Sequence, residues 1–416
     1  MSKVKTIWLL NHYAGNLALG MEYRHFYLAR HLRNMGYRVG IIAGSFHHLS
    51  TAHPEMTGNF SVQEFDGIPF VFLKTRVYKG NGMARLLGMI DYLAGIYRHL
   101  PGLEKTLGKP DIALGSTPHP FIHFALQRIK LRYRIPVFFE VRDLWPQMLV
   151  ELGSLGKYHP LSLFFYWVER QAYRLSDKTI SLWHSADEYM FAHDLPKDRY
   201  LYLPNGIELD EEKNLQPDDS HSLIRQVKKL KAEGKFIIGY GGSHGHANAL
   251  DCVIDACERL GAENIAFFCV GDGPERERLM EKAKSQGLTN LYFHPYVSKS
   301  VILAFYRVLD ICYIGLIDLP LFKYGPTPNK LMDYFAMAKP IIFAINSRFD
   351  PVREAGAGVS IPPEGAALAK AILEMNKKTS SELENMGKAG RMYAERELSF
   401  TALAQRLAKH IDEAVK

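Results

Sequence analysis

The sequence predicts an α/β protein built from two doubly wound, Rossmann-like domains in tandem. The length of 416 residues suits two or three domains of about 150 residues each. Short apolar runs alternate with amphipathic stretches in both halves of the chain, which is typical of parallel sheets with helices on their faces. Because ligands in such sheets bind beyond the carboxyl ends of the strands, we expect the two domains to face a central cleft.

The first half opens with this alternation. The run VKTIWLL (4–10) predicts a buried strand, residues 20–36 an amphipathic helix, and YRVGIIAG (37–44) a second strand. Further strands are predicted at 68–73, 111–116, 135–141 and 178–183. The first domain is therefore placed at residues 1–205.

A polar, acidic stretch separates the two halves. Residues 206–234 include NLQPDDSHS (214–222) and are interpreted as a linker. A second series of strands follows at 235–242, 264–273, 290–296, 309–316, 339–345 and 356–361. We place the second domain at 235–395 and a separate terminal helix at 396–416.

Charge is distributed unevenly along the chain. Residues 1–205 hold 24 Lys and Arg against 16 Asp and Glu, whereas the rest hold 27 against 28. The first half is therefore expected to face something anionic. Basic and apolar residues mix at 74–79, 83–93 and 128–134, a pattern that can rest on an anionic membrane.

The cysteines and the hydropathy of the chain indicate the kind of compartment in which the protein works. The four cysteines lie far apart without a CxxC pair, which favours buried thiols in a reducing compartment. The apolar run near residue 4 is too short for a signal peptide, and no stretch reaches the ~20 apolar residues of a membrane span. We expect a soluble protein that at most lies on a membrane surface.

Glycine-bearing turns follow several strands, where bare backbone N–H groups can hold an anion. Gly15 lies in the turn after the first strand, and Gly241, Gly242 and Ser243 follow the strand that begins at residue 235. Gly271, Asp272 and Gly273 repeat the arrangement after the next strand. Neither of the later loops is a complete dinucleotide fingerprint, and the absence of a GK[ST] motif argues against a P-loop NTPase.

The most unusual segment is KYGPTPNKLMDY (323–334). Thr327 or Asn329 is predicted to cap a helix that continues to Ala338. The N–H groups at that helix start and the Lys330 ammonium suit a diphosphate. Asp333, one turn further, is placed to accept hydrogen bonds from a ribose diol.

Ionisable residues also end two strands of the first half. His119 follows one strand, and Arg142 with Asp143 follows another. They are candidates to orient or deprotonate a substrate hydroxyl. The histidine pairs 47–48 and 244/246 have no convincing third ligand at a usable spacing, so no metal site is predicted.

These motifs together resemble a known family. HYAGNLALGMEYRHFYLARHL, STPHP, FEVRDLWP, LPNGI, VGDGPE and PNKLMDYFAMAKPII look like family 4 glycosyltransferases of the GT-B fold. The likeness is greatest to bacterial enzymes of O-antigen and capsule clusters, including N-acetyl-fucosamine transferases. It implies that residues 1–205 bind the acceptor, that residues 235–395 bind a nucleotide sugar, and that 396–416 crosses back onto the first domain. It also implies metal-independent transfer with retention at the anomeric carbon.

The resemblance is uneven at the level of single residues. Of the family's two acidic residues eight positions apart, the second falls on Asp333 and the first on Gly325. The Arg and Lys that the family usually has in the loop matching Gly241 to Asn248 are absent. Lys330, the N–H groups of 327–330 and Gly15 are the expected substitutes around the diphosphate. Further predicted contacts are Tyr296, Lys323 and Arg24.

The resulting prediction is a retaining transferase that moves an N-acetylated hexosamine or deoxyhexosamine from a UDP-sugar to a lipid-diphosphate-linked glycan. Such an enzyme would act in the synthesis of O-antigen, capsule or lipopolysaccharide, on the inner face of the bacterial cytoplasmic membrane, without cofactor or metal. A UDP-sugar 2-epimerase of similar architecture and a non-catalytic nucleotide-sugar-binding protein are the alternatives. Nucleic-acid binding is not expected, since no recognised module is present.

Overall fold

The computed structural model describes most of the chain. The described residues are 4–20, 22–48, 50, 52–80, 82–117, 119–209, 218, 220–261, 263–326 and 328–416. The chain divides into two compact units, the first formed by Met1–Pro204 with Phe400–Lys416 and the second by Asn205–Ser399. No helix among the described residues is long and apolar enough to cross a membrane.

The first unit is built on an eight-stranded sheet of order β3-β4-β2-β1-β5-β6-β7-β8. All neighbouring strands are parallel except β3 and β4. The strands are β1 (Thr6–Leu10), β2 (Arg38–Gly44), β3 (Phe60–Phe65), β4 (Ile68–Leu73), β5 (Ile112–Ser116), β6 (Val137–Val141), β7 (Lys178–Ser181) and β8 (Tyr200–Tyr202). The helices are α1 (Arg24–Asn34), α2 (Met83–Leu107), α3 (Ile122–Tyr133), α4 (Gln147–Glu151), α5 (Pro160–Leu175), α6 (Asp187–Ala192) and α15 (Phe400–Ala414).

The core of this unit explains why its strands read as uninterrupted apolar runs. Every residue of β1 and β5 is buried, as expected for strands with helices on both faces of the sheet. Helix α15 belongs to the same core, where Phe400 packs against Tyr27 of α1 at a centroid distance of 4.9 Å. The final amphipathic segment is thus part of the first unit.

The second unit contains a parallel six-stranded sheet of order β11-β10-β9-β12-β13-β14. Its strands are β9 (Phe236–Gly241), β10 (Ile265–Val270), β11 (Leu291–His294), β12 (Ile311–Gly315), β13 (Ile341–Ala344) and β14 (Gly358–Ser360). Its helices are α7 (Ser222–Ala232), α8 (Leu250–Leu260), α9 (Arg276–Ser285), α10 (Lys299–Val308), α11 (Asn329–Ala336), α12 (Pro351–Ala355), α13 (Gly365–Asn376) and α14 (Ser380–Tyr393). Strand order reverses around β9, so the carboxyl ends of β9 and β12 flank a switch point at which ligands commonly bind.

The structure differs from the sequence-based expectations at several boundaries. The first helix begins at Arg24 and ends at Asn34, within the predicted 20–36. The segment 206–234, interpreted as a linker, contains the helix Ser222–Ala232. The strands Phe60–Phe65 and Tyr200–Tyr202 were not predicted. Strand Phe60–Phe65 alternates between less and more exposed positions because it lies at the edge of its sheet.

Candidate active site

Two glycine loops meet at the carboxyl edge of the second sheet. Gly242 follows β9 and Gly271 follows β10, and the Gly242 N–H donates to the Val270 carbonyl at 2.9 Å. A Cβ on Gly271 would lie 2.0 Å from the Gly242 carbonyl oxygen, and both glycines have positive φ angles. The close approach of the two backbones therefore requires glycine at position 271.

Lys330 reaches into this edge from helix α11. Its Nζ donates to the Tyr240 hydroxyl and to Oδ1 of Asn248, both at 2.7 Å. The ammonium also lies 4.3 Å from the centroid of the Tyr240 ring. Burial lowers the pKa of Lys330 to about 7. Within the described part of the chain no carboxylate pairs with it, so its charge is available to an anion.

The position of the Lys330 ammonium depends on the absence of a side chain at Gly242. A Cβ at that position would lie 2.9 Å from Cε of Lys330 and 3.1 Å from its Nζ. The Tyr240 hydroxyl donates its proton to the Ser243 carbonyl at 2.6 Å, which leaves its lone pairs for Lys330. Gly241 is the last residue of β9 and donates its N–H to the Tyr334 hydroxyl at 3.2 Å. The structure thus brings the predicted residues Gly241, Gly242, Ser243 and Lys330 together.

The helix start itself differs from the prediction. Helix α11 begins at Asn329 with Pro328 as the preceding residue, and no side chain caps it. Asn329 is therefore the first helical residue rather than a cap, and the helix ends at Ala336 instead of Ala338. Thr327, the other predicted cap, lies outside the described residues. Because proline has no N–H, the free backbone donors at this end are those of Asn329 and Lys330.

Asp333 lies one turn into helix α11 and is already engaged. Its Oδ1 accepts from Nζ of Lys299 at 2.5 Å, and a fifth of its side chain is exposed. Lys299 is the first residue of α10, and sequence analysis did not single it out. Asp333 keeps Oδ2 as an acceptor for a ribose hydroxyl.

The loop after β10 joins three further predicted residues. Asp272 accepts from the backbone N–H of Tyr296 at 3.2 Å, which ties this loop to the segment after β11. Tyr296 is 73% exposed and free to stack on a ligand ring. A Cβ on Gly273 would lie 2.6 Å from the backbone of His244, so this loop also packs closely on the β9 loop. His244 is buried, and burial lowers its pKa to about 4.

Two further predicted contacts, Lys323 and Gly15, have other neighbours in the structure. Lys323 is exposed, and its Nζ lies 4.9 Å from the centroid of the Tyr324 ring. The N–H of Gly15 donates to the Glu22 carbonyl at 3.3 Å, so it is not a free donor. The glycine turn after β1 is therefore less suited to an anion than the sequence suggests.

His119 is buried at the carboxyl edge of the first sheet, beyond β5. Its Nε2 lies 3.2 Å from Nδ1 of His12, which follows β1. Burial, together with the charge of Arg85, lowers the pKa of His119 to about 3. His119 is consequently neutral at ordinary pH and offers one donor and one acceptor nitrogen. Sequence analysis did not identify His12, although both histidines follow strands that are neighbours in a doubly wound sheet.

Arg142 and Asp143 lie at the same edge, beyond β6. An NH2 atom of Arg142 is 2.5 Å from Oε2 of Glu22, and the Arg142 backbone N–H donates to Oγ1 of Thr117 at 3.0 Å. Burial raises the pKa of Asp143, against the opposing effect of the Arg142 charge. Arg142 is therefore paired with Glu22 within the protein. Asp143 is more readily protonated than an ordinary aspartate, because burial raises its pKa.

Arg24, a further predicted contact, has a structural role instead. Its Nε donates to Oε2 of Glu140 at 2.9 Å, and its NH2 group donates to the Leu203 carbonyl at 3.0 Å. Ser116 donates to the other Glu140 oxygen at 2.7 Å. Burial alone would raise the pKa of Glu140, but Arg24 and His25 hold it well below its usual range. The Arg24 guanidinium is thus bonded within the fold, and its predicted contact with a ligand stays a prediction.

Sequence reasoning missed several residues that the fold brings to these sites. Tyr240 and Asn248 hold Lys330, Lys299 holds Asp333, and Glu22 holds Arg142. Tyr240 and Asn248 flank the glycine loop, which is the one signal that could have identified them. Among the described residues, no group of three or more His, Cys, Asp or Glu side chains is placed to hold a metal ion.

Comparison with known families matches both halves of the chain. Residues 20–206 match the glycosyl transferase 4-like domain, and residues 235–378 match the glycosyl transferases group 1 domain. Together the two matches extend over well more than half of the sequence. The chain belongs to the GT-B glycosyltransferases.

A curated relative of this glycosyltransferase is the Escherichia coli K12 protein WcaI, named as a colanic acid biosynthesis glycosyl transferase. The two are 24% identical over 265 residues, which cover 61% of this chain and 62% of WcaI. The match thus spans less than two thirds of the relative's length.

Solved structures support the fold of this glycosyltransferase over its whole length. Sucrose-phosphate synthase from Thermosynechococcus elongatus superimposes with a TM-score of 0.71 at 13% identity, covering 98% of each chain. Anabaena HepE, solved in complex with UDP and glucose, gives a TM-score of 0.66 at 12% identity. That match covers 98% of this chain and 99% of HepE. The predicted GT-B fold is confirmed.

Proposed function

We propose that this glycosyltransferase moves a sugar from a UDP-sugar to a lipid-diphosphate-linked glycan of a cell-surface polysaccharide. The observation that carries the proposal is the Lys330 ammonium, held by Tyr240 and Asn248 beside the glycine loop. A half-buried ammonium without a carboxylate partner among the described residues is stabilised by an incoming anion. A nucleoside diphosphate is such an anion, and HepE, of the same fold, has been solved with UDP.

The donor would be held by the second unit. The diphosphate would lie against Lys330 and the first N–H groups of helix α11, where the helix dipole favours negative charge. Asp333 would accept from the ribose hydroxyls through the oxygen that Lys299 leaves free. The donor sugar is proposed to be an N-acetylated hexosamine or deoxyhexosamine, a choice that rests on the sequence resemblance to such transferases.

The transfer would proceed with retention and without a metal. The leaving diphosphate would be stabilised by the preorganised charge of Lys330 and of the N-terminus of helix α11. In other enzymes a metal ion has this role. Neutral His119 would accept a hydrogen bond from a sugar or acceptor hydroxyl, and Asp143 would orient the acceptor. Arg142, paired with Glu22, would support the Asp143 loop. No protein nucleophile is required when the acceptor attacks on the face that the diphosphate leaves.

Membrane association of the first unit is part of the proposal. Helices α2, α3 and α5 share an exposed aromatic surface in which Phe164 stacks on Trp167 at 6.0 Å and Phe124 contacts Trp167 at 6.5 Å. Trp167 is 50% exposed and Phe164 41%. Tyr97 is linked to the same surface through its hydroxyl, which donates to the Phe124 carbonyl at 2.9 Å. Aromatic rings favour the membrane interface, and the cationic excess of residues 1–205 favours anionic lipids.

A thermal-shift panel tests the donor part of the proposal. The purified protein is heated with UDP, GDP, ADP or NAD, each with magnesium or with EDTA. At 100 times its Kd, a ligand stabilises the native state by ~2.7 kcal/mol, which gives a visible shift in Tm. We expect a shift with UDP that EDTA leaves unchanged. A shift with GDP alone would change the donor, and a shift with NAD alone would overturn the proposal.

Turnover then separates a transferase from the alternatives. A UDP-sugar is incubated with and without a lipid-diphosphate glycan, and both sugar transfer and change of the sugar's configuration are followed. We expect transfer only when the acceptor is present, and His119→Ala should lower kcat by about a hundredfold. Conversion of the UDP-sugar without acceptor would support the epimerase. Tight UDP binding without either reaction would support a binding protein.

A further inference from the structure

A small cavity lies between helices α3 and α5 of the first unit and has a volume of about 140 Å³. Most of the buried residues that line it are apolar, namely Leu126, Val137, Phe139 and Ala172. Leu131 and Leu175 line it as well, and they are 70% and 38% exposed. The cavity is therefore apolar inside and opens to the surface between two leucines. We call it the α3–α5 slot.

The buried polar groups that line the slot are neutral or already bonded. Burial lowers the pKa of His123 to about 4, so this ring carries no charge at neutral pH. The Ser176 hydroxyl lies 2.9 Å from the Thr179 hydroxyl. Nζ of Lys130 donates to both carboxylate oxygens of Asp177, at 2.8 and 2.9 Å. An apolar cavity of similar size stays dry and binds benzene, so the slot has room for about five or six carbon atoms.

The mouth of the slot continues the exposed aromatic surface of the same two helices. Phe124 precedes Leu131 by seven residues, and Trp167 precedes Leu175 by eight, so each pair lies on one face of its helix. The rings of Phe124 and Trp167 are in contact across the two helices at 6.5 Å. One apolar strip therefore leads from the aromatic rings to the two leucines at the mouth.

The charge around the mouth is positive. The exposed charged residues of α3 and α5 are all cationic: Arg128, Arg132, Arg170 and Arg174. Glu169, the one carboxylate in these two helices, is buried. Asp194 pairs with Arg174 at 2.9 Å and with Arg170 at 3.9 Å, and Glu104 lies 3.9 Å from Arg132. Arg128 takes part in none of the ion pairs among the described residues, so its charge is available to an anion.

We propose that the α3–α5 slot binds the end of one acyl chain of an anionic phospholipid, whose phosphate lies against the cations at the mouth. An apolar cavity beside an unpaired guanidinium matches a molecule with a hydrocarbon chain and a negative head. The slot is a site for a single lipid molecule, whereas the aromatic surface is proposed to contact a bilayer as a whole. The inference rests on the proposed membrane association for its place in the cell, but lipid binding to the slot can be measured without a bilayer.

The probe is dihexanoyl phosphatidylglycerol, kept as a monomer below its critical micelle concentration. The full-length protein is titrated with it, and binding is followed by saturation-transfer NMR. We expect the strongest saturation at the terminal methyl of the chain, since that group enters the slot. Each buried methylene strengthens binding about fourfold, so dibutanoyl phosphatidylglycerol should bind more than tenfold more weakly. Equal saturation of head and chain, or no saturation, would overturn the inference.

Variants of the slot test its location. Ala172→Leu fills the cavity and should weaken binding of the probe at least tenfold without lowering Tm, because the new side chain occupies a void. Leu175→Asp leaves the interior unchanged but places a carboxylate at the mouth, and it should cause a similar loss. Leu152→Asp is the matched control, since Leu152 is 43% exposed and does not line the slot. If Leu152→Asp weakens binding as much as Leu175→Asp does, the location is wrong.

Arg128→Gln tests the contact with the head group. The unchanged protein should bind dihexanoyl phosphatidylglycerol several-fold more tightly than dihexanoyl phosphatidylcholine, whose head has no net charge. Arg128→Gln should reduce this preference and leave the dependence on chain length unchanged. Equal affinity of the unchanged protein for both lipids would contradict the assignment of an anionic lipid. Binding of farnesyl phosphate but not of either phospholipid would assign the slot to an isoprenoid chain instead.

The outcomes for the slot and for membrane association can be told apart. If Ala172→Leu binds the probe like the unchanged protein, the slot is overturned, even where the aromatic surface is shown to bind vesicles. If Ala172→Leu loses the probe while the unchanged protein does not bind vesicles, the slot stands and the proposed membrane association fails. If Ala172→Leu does not fold, Leu175→Asp and the dependence on chain length decide the matter.

Discussion

Nζ of Lys330 lies 3.1 Å from the point at which a side chain on Gly242 would begin. The ammonium thus occupies the space above the glycine loop that a longer residue at 242 would fill. The family's usual cations in this loop are absent from the sequence, and a lysine from helix α11 brings a positive charge to the same loop. Glycine at 242 and lysine at 330 are therefore linked by geometry.

The first prediction follows from that linkage. Gly242→Ala should displace Lys330, because the new methyl group would lie 2.9 Å from its Cε. We expect the Kd for UDP to rise at least fivefold, as measured by calorimetry. Gly287→Ala is the control, since Gly287 also has a positive φ but no atom lies within 4 Å of its added Cβ. Equal losses in both variants would point to general backbone strain rather than to displacement of Lys330.

The second prediction concerns pH. Lys330 has a pKa of about 7 in the folded protein, below its ordinary value of about 10.4. Above pH 7 the free site loses its charge, so UDP binding must take up a proton and should weaken as pH rises. Stability should change in the opposite sense, because the unfolded chain binds more protons between these two pKa values, and the free energy of unfolding should rise with pH in this window. Lys330→Met should flatten both profiles, and a pH-dependent affinity that persists in this variant would contradict the assignment.

The third prediction separates the two members of the Lys299–Asp333 pair. Asp333→Asn should weaken UDP binding about tenfold, because a charged acceptor for the ribose hydroxyls is lost. Lys299→Met should not weaken it, since the substitution frees the second oxygen of Asp333. Calorimetry of both variants decides the point. A larger loss in Lys299→Met would assign the ligand contact to the lysine instead.

The fourth prediction tests the aromatic surface of α5. The double substitution Phe164→Ser with Trp167→Ser should reduce binding to vesicles containing anionic phosphatidylglycerol several-fold in a sedimentation assay. It should leave UDP binding unchanged, because the proposed donor site lies in the second unit. Met392→Ser, which changes another exposed apolar residue in the second unit, is the control. Unchanged sedimentation of the double variant would remove this surface from the proposal.

The fifth prediction concerns the ion pair of Arg24 and Glu140. Glu140→Gln leaves a buried guanidinium without its counter-charge and should lower the free energy of unfolding by about 3–5 kcal/mol in urea titrations. Since the folded-state pKa of Glu140 is depressed, its stabilising effect is present above its unfolded pKa of about 4.3 and is lost as pH falls. Glu140→Gln should therefore differ most from the unchanged protein near neutral pH. A constant difference down to acidic pH would contradict this account.

The sheets could be predicted from sequence because parallel strands buried on both faces are continuous apolar runs. β1 and β10 are such runs, and both were found. The edge strand Phe60–Phe65 was not predicted, because polar and apolar residues alternate in it and no continuous apolar run marks it. It also pairs antiparallel with its neighbour, unlike the other strands of the sheet. Residue type alone predicts Asn329 as a helix cap, whereas in the structure Pro328 precedes the helix and Asn329 is its first residue.

For the candidate site, the sequence predicts only the individual residues that follow strands or begin helices. Gly242 and Lys330 could each be singled out from their local sequence. Their contact, however, is set by how helix α11 packs on the sheet. The partners of buried charges were less accessible still, because Glu140 and Arg24 are 116 residues apart and only the fold joins them.

Helix α15 also bears on how the protein is made. Lys5 donates to Asp412 across 407 residues, and Phe400 packs on Tyr27 in the core of the first unit. During synthesis residues 4–204 leave the ribosome first. Their hydrophobic core stays incomplete until the helix Phe400–Ala414, which packs in it, has also been synthesised. The second unit, whose residues are continuous, can form in the interval. Completion of the second unit before the first, against the usual order of synthesis, is the consequence of placing that helix where it lies.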